Sequence, residues 1–100
     1  MARVAFDVDG TLIDEDDQAR EDVIAILREH HGRGDDVFVW SGGGMDYAQH
    51  WVERLGLSSV VTAVLVKGRG QDIDVTYDDQ IVKLGRVNHC VGSGDHEERW

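Results

Sequence analysis

This sequence predicts an α/β fold: a three-layer, Rossmann-like parallel sheet flanked by helices. Three observations carry the prediction. Short apolar runs alternate with amphipathic stretches in the order strand, helix, strand, helix, strand. The early runs are almost uniformly apolar rather than alternating, as befits strands buried on both faces. Each run then stops at polar residues, Asp7 and Asp9, Ser41, Lys67, and Asp78 and Asp79. In open parallel sheets the carboxyl ends of the strands line the ligand crevice, so four separate stretches are expected to meet on one rim.

The first strand is read over Val4 to Val8, interrupted by Asp7 and closed by Asp9-Gly10. Gly10 to Asp17 is a loop dense in carboxylates, and acidic groups just ahead of a helix suit the positive end of its dipole. A helix is expected over Asp17 to His31, with Ala19, Val23, Ile26, Leu27 and His30 at helical spacing and Gly32 as its stop. Val37 to Trp40 is the second strand, ending at Ser41-Gly42-Gly43-Gly44. Met45 to Leu55 is the second helix, with Met45, Ala48, Val52 and Leu55 on one stripe and Gly56 after it. Val60 to Val66 and Ile73 to Tyr77 are the third and fourth strands, and Val87 to Val91 is an edge strand. The tail from Gly92 to Trp100 is polar and is expected to be mobile, with docking of Trp100 the alternative. Between the third and fourth runs lie only Lys67 to Asp72, too few residues for the helical crossover a parallel pair ordinarily uses. Either an extended loop makes that crossing, or part of the third run is helical.

At 100 residues the chain is expected to form one domain over 1–100, and dimerisation would be an ordinary way to enlarge so small a core. A net charge of -10, with 20 acidic against 10 basic residues, speaks against a large nucleic-acid footprint, which needs clustered Lys and Arg. Cys90 is the only cysteine, so no intramolecular disulfide can form, in keeping with a reducing compartment. The apolar run near Met1 is too short for a signal peptide, and no stretch reaches the roughly 20 apolar residues of a membrane span. A cytoplasmic protein is the expectation.

The chemistry is carried by the rim residues. Asp7 and Asp9 sit two apart at the end of the strand, so their side chains are expected on the same face, and Gly10 lets the chain turn immediately afterwards. Such a pair either merely closes a strand or sets a nucleophilic carboxylate beside a second carboxyl that moves protons. Crowding these groups with Asp78 and Asp79 calls for a hard divalent cation with oxygen ligands, Mg²⁺ by default. Ser41 and the backbone N–H groups of the glycines after it, Gly42 first, suit a phosphate oxygen, although a helix cap is the plainer reading of the serine. Lys67 would neutralise phosphate and the attacking carboxylate, with Arg69 a rival for that task. The histidines and Cys90 lack compact zinc-ligand spacing, and the glycine run is no P-loop because no Gly-Lys-Ser/Thr follows it. Phe38, Trp40 and Trp51 are read as core.

The string Phe6-Asp7-Val8-Asp9-Gly10-Thr11-Leu12 resembles the first motif of the haloacid dehalogenase superfamily of phosphatases and phosphotransferases. Ser41, Lys67 and the Asp78-Asp79 pair follow in that family's order, so the resemblance spans residues 3 to about 83. It implies that Asp7 attacks phosphorus and becomes an aspartyl phosphate, while Asp9 acts as general acid and then base. It further implies Mg²⁺ held by Asp7, the Asp9 carbonyl and Asp78, and phosphoryl oxygens held by Ser41 and Lys67. Of the Asp78-Asp79 pair one is expected to bind the ion directly and the other from the outer shell; Asp78 is read as the direct ligand, and the sequence alone does not choose between them. The family's lysine ordinarily begins a helix, for which this chain has no room. Nor does either usual insertion point hold a cap domain, so the site is expected to be open to large substrates or covered by a neighbouring subunit. A phosphomonoester hydrolase is the leading expectation, since an open site admits water. The others are a nucleic-acid end-phosphatase, which would need Arg3, Arg33, Arg69 and Arg86 around the rim, and a non-catalytic metal- or phosphate-binding module.

Overall fold

The computed structural model describes residues 1–92, so the expectation for the tail falls outside it except at Gly92. Seven elements follow in order: β1 (Arg3–Asp7), α1 (Glu21–Gly32), β2 (Asp36–Ser41), α2 (Met45–Arg54), β3 (Ala63–Val66), β4 (Val75–Asp78) and β5 (Val87–Cys90). The strands form one parallel sheet in the order β3-β2-β1-β4-β5. This is the Rossmann-like α/β arrangement that the alternating pattern predicts.

Handedness decides what covers each face. From β1 to β3 the chain steps one way across the sheet, and right-handed crossovers put α1 and α2 on the same face. Val4, Phe6, Val37 and Val39 project to that face and pack with Val23, Leu27, Ala48, Trp51 and Val52. The chain then jumps from β3 back over β2 and β1 to β4, so the next connection falls on the opposite face. There Ala5, Phe38 and Trp40 lie beneath Ile73 and Leu84, which come from the two loops of that side. The third layer is therefore made of loop, not helix. Fully buried aliphatic and aromatic side chains of this kind contribute about 1.5–3 kcal/mol each, and they hold the rim above them in place.

The crossing from β3 to β4 is made by an extended strap, Lys67–Asp74, without a helix. The third apolar run is shortened from its front, because the Val60 and Val61 N–H groups bond back to the Leu57 carbonyl as a turn. α1 begins at Glu21 rather than near Asp17, because the preceding segment is pinned elsewhere. Thr11, Leu12 and Ile13 all donate to the Val8 carbonyl, and Asp14 Oδ1 accepts the N–H groups of Asp16 and Gln18. Leu12 and Ile13 are thereby drawn into the core. At the C-terminal end of α1, His30 is buried and bonds Asp35 through Nδ1 (2.8 Å) and the Tyr77 hydroxyl through Nε2 (3.0 Å). Hydrogen bonding by His30, the Ala2 N–H and Arg33 holds the Asp35 carboxyl well below the usual carboxylate range.

Candidate active site

Register places the rim residues. Phe6 pairs with Tyr77, so Asp7 and Asp78 end neighbouring strands at the same level. Asp7 pairs with Trp40 and Trp40 with Leu65, which sets Ser41 beside Val66 and Lys67 immediately beyond. Across the edge the order is Lys67, Ser41, Asp7, Asp78.

Alternation then sorts these residues by face. Asp7 follows Ala5, and Asp78 follows Thr76, in projecting toward the strap side, whereas Ser41 follows Val37 and Val39 toward α2. The strap leaves β3 on the side where the two aspartates point. Consequently the Lys67 ammonium reaches both, donating to Asp7 Oδ1 at 3.1 Å and to Asp78 Oδ2 at 2.6 Å. Carboxylate oxygens of Asp7, Asp78 and Asp79 lie within 4.8 Å of one another. With all three ionised and Lys67 protonated, two negative charges remain, which one divalent cation would neutralise. An all-oxygen carboxylate set at this spacing fits a hard ion such as Mg²⁺.

Electrostatics reflects the crowding. Burial lifts the Asp7 carboxyl from its ordinary 3.8 to about 6; the Asp78 charge adds to the rise and Lys67 opposes it. Burial also raises Asp79, with its neighbour Asp78 contributing. For Lys67, burial pulls the amine down, but its bonds to Asp78 and Asp7 outweigh that and leave it above an ordinary lysine. A second bond steadies Asp78, whose Oδ1 accepts the Gln80 N–H at 3.0 Å.

Gly10 is required where it stands. Its φ is +77°, and a Cβ there would come within 2.3 Å of Asp79 Oδ2. Arg20 fastens the same turn by donating to the carbonyls of Gly10 and Val91.

Asp9 departs from the sequence expectation. β1 ends at Asp7, so strand alternation does not run on to Asp9, and its carboxylate is not one of the three that gather within 4.8 Å of one another. It is exposed and accepts a 2.6 Å hydrogen bond from the Tyr47 hydroxyl on α2. Ser41 is not the helix cap, a position taken by Gly44; its Oγ accepts the Gly43 N–H at 3.0 Å, which leaves the hydroxyl proton to donate outward. Gly42 is exposed beside it. Tyr47 and Arg20 were not marked by sequence reasoning. An aromatic residue in the first turn of an amphipathic helix and an arginine ahead of another carry no signal of their own.

Three of the four arginines considered for a nucleic-acid rim lie at the other end of the sheet. Arg3 starts β1, Arg33 follows α1, and Arg86 precedes β5. Each is engaged there: Arg3 Nε with the Asp72 carbonyl, Arg33 with Asp35, Arg86 with Asp72 and Asp74. They form no patch around the carboxylates.

A family model described as haloacid dehalogenase-like hydrolase matches residues 4–84. No curated protein and no solved structure matches the chain.

Proposed function

The chain belongs to the haloacid dehalogenase-like hydrolases, and from that premise we propose that it is a Mg²⁺-dependent phosphomonoester hydrolase acting through an aspartyl phosphate on Asp7. The observation that carries the proposal is the single ammonium of Lys67 bonded at once to Asp7 and Asp78 beside Asp79. It supports reading Asp7 as the nucleophile, Lys67 as the cation for phosphoryl oxygens and the three aspartates as a cage for the ion, all at one rim. Asp7, Asp78 and Asp79, with the main-chain carbonyl of Asp9, would hold Mg²⁺, which when bound supplies Lewis-acid stabilisation of phosphoryl charge.

The residues divide the work. An Asp7 oxygen forms a bond to phosphorus as the ester P–O bond breaks, and Asp9 gives its proton to the departing oxygen. Water then forms the next P–O bond and yields its proton to Asp9 as the bond between phosphorus and the Asp7 oxygen breaks, which releases inorganic phosphate and restores the Asp7 carboxylate. Ser41 Oγ donates to a phosphoryl oxygen, the exposed Gly42 backbone lies beside it, and Lys67 offsets charge in a partly buried setting where its field is little screened. The connections 8–20 and 55–62 carry no helix or extended strand among the described residues, which supports reading the phosphoryl site as uncapped. The phosphorylated substrate is read as a small molecule, since three of the four arginines that a nucleic-acid rim would need, Arg3, Arg33 and Arg86, lie at the opposite end of the sheet.

The test is hydrolysis of 4-nitrophenyl phosphate with Mg²⁺, with chelator, and by Asp7→Asn. Release by the wild type alone, dependent on the ion, together with an acid-trapped phosphoryl adduct on Asp7, is the expected result. Equal release by both proteins overturns the assignment and leaves a binding module in its place.

A further inference from the structure

Asp9 and Tyr47 are 38 positions apart, one in the turn after β1 and the other in the first turn of α2, yet their side chains meet at 2.6 Å. The approach is built in. A Cβ on Gly43 would stand 3.2 Å from Tyr47 Cδ2 and 3.4 Å from Ser41 Oγ, so the bare backbone at Gly43 lets the ring lie close against the Ser41 turn. The ring is half-buried, and the next helical turn is anchored in the core by Ala48, Trp51 and Val52. Asp9, by contrast, is exposed and has no other side-chain partner among the described residues. Left alone it would sample its rotamers freely.

Resting on the hydrolase reading above, we infer that Tyr47 is the positioning residue for the proton-transferring carboxyl, holding Asp9 in one rotamer on the Ser41 side of the rim and selecting which of its oxygens carries the proton. The selection follows from hydrogen-bond chemistry. A phenol donates to Oδ1, and that bond persists whether Asp9 is ionised or neutral, because the carbonyl oxygen of a neutral acid still accepts. The mobile proton is therefore confined to Oδ2. When the ester bond breaks, Oδ2–H passes its proton to the leaving oxygen. When water attacks the aspartyl phosphate, Oδ2 takes a proton back. Tyr47 gives up none of its own. With no cap among the described residues, a residue on α2 thus orients the acid by touching neither substrate nor metal.

The test compares Tyr47→Phe with the wild type on two kinds of ester. A 4-nitrophenolate leaving group needs little protonation, whereas an alkyl alkoxide needs a full proton, so loss of positioning falls unevenly. The expected result is a drop in kcat on an alkyl phosphate roughly tenfold greater than that on 4-nitrophenyl phosphate, with KM for both little changed. In the Asp9→Asn background the same substitution should add almost nothing, since there is no proton left to place. Equal losses on both esters, or full additivity with Asp9→Asn, overturn the inference while leaving the hydrolase assignment standing. A readout independent of turnover is the three-bond coupling across χ1 of Asp9: one rotamer in the wild type and averaged values in Tyr47→Phe support the role, and averaged values in both refute it.

Discussion

Replacing Lys67 with methionine isolates the electrostatic work of the rim. The side chain keeps its length and apolar stem, but Asp7 and Asp78, 7% and 2% exposed, lose their shared cation. Breaking a buried pair by removing one partner costs about 3–5 kcal/mol; the ammonium here is 19% exposed, which places the expected loss at about 2–4 kcal/mol in metal-free protein at pH 7. With a urea m-value of about 1–1.5 kcal/mol/M for a chain of this size, the unfolding midpoint should fall by about 2 M. The sign of the pH dependence follows from Asp7. Its native pKa, about 6, stands above its ordinary 3.8, so the folded state binds the proton more tightly, and ionisation is unfavourable to folding above pH 6. Without Lys67 the native value rises further. The deficit of the variant should therefore shrink between pH 7 and pH 5, and saturating Mg²⁺ should narrow it at pH 7 by binding only the folded form. A deficit equal at pH 5 and pH 8, and indifferent to Mg²⁺, would show that only packing of the stem had been lost.

Other outcomes follow from the same geometry. Gly10→Ala must take up φ +77° and displace the Asp79 carboxylate; it should lose about 1–2 kcal/mol by urea melt and weaken Mg²⁺ binding, measured calorimetrically, by tenfold or more. For metal-free wild type, the Asp7 side-chain carboxyl resonance should titrate near 6, and Mg²⁺ should move that titration to lower pH by favouring the ionised form. Because Asp35 is held below its unfolded value, its contribution is present above about pH 4 and fades as pH falls below it; Asp35→Asn should narrow the gap to wild type progressively in acid. Leu27→Ala opens a void between α1 and the sheet and should cost about 2–5 kcal/mol without altering Mg²⁺ affinity.

The rim was legible in the sequence because a parallel sheet sends every strand's carboxyl end to one edge, so polar residues that stop apolar runs are brought together by topology alone. Asp7, Ser41, Lys67 and Asp78 could be placed in this way. What Lys67 touches could not, since that depends on which face the strap takes, and the face is fixed by the β3-to-β4 jump. For Asp9 only the shared-face reading fails, and for a local reason: the strand stops at Asp7, and three N–H groups converging on the Val8 carbonyl turn the chain before alternation reaches Asp9. The loop character of the third layer was foreshadowed by the few residues available between the third and fourth runs.

The strap itself has a mechanical consequence. From Val66 to Val75 the chain must pass sideways over three inter-strand intervals, about 14 Å, and return along the strand direction by about 13 Å, a straight path of about 20 Å. Nine residue steps reach about 30 Å when fully stretched, and the segment must also arch over Phe38 and Trp40. Little spare length remains. Shortening Gly68–Asp72 by two residues would haul on the lysine at its head and draw the ammonium off the aspartates, whereas lengthening it would be absorbed as slack at small entropic cost. The position of the cation is thus set by the reach of a tether as much as by the pairing that receives it.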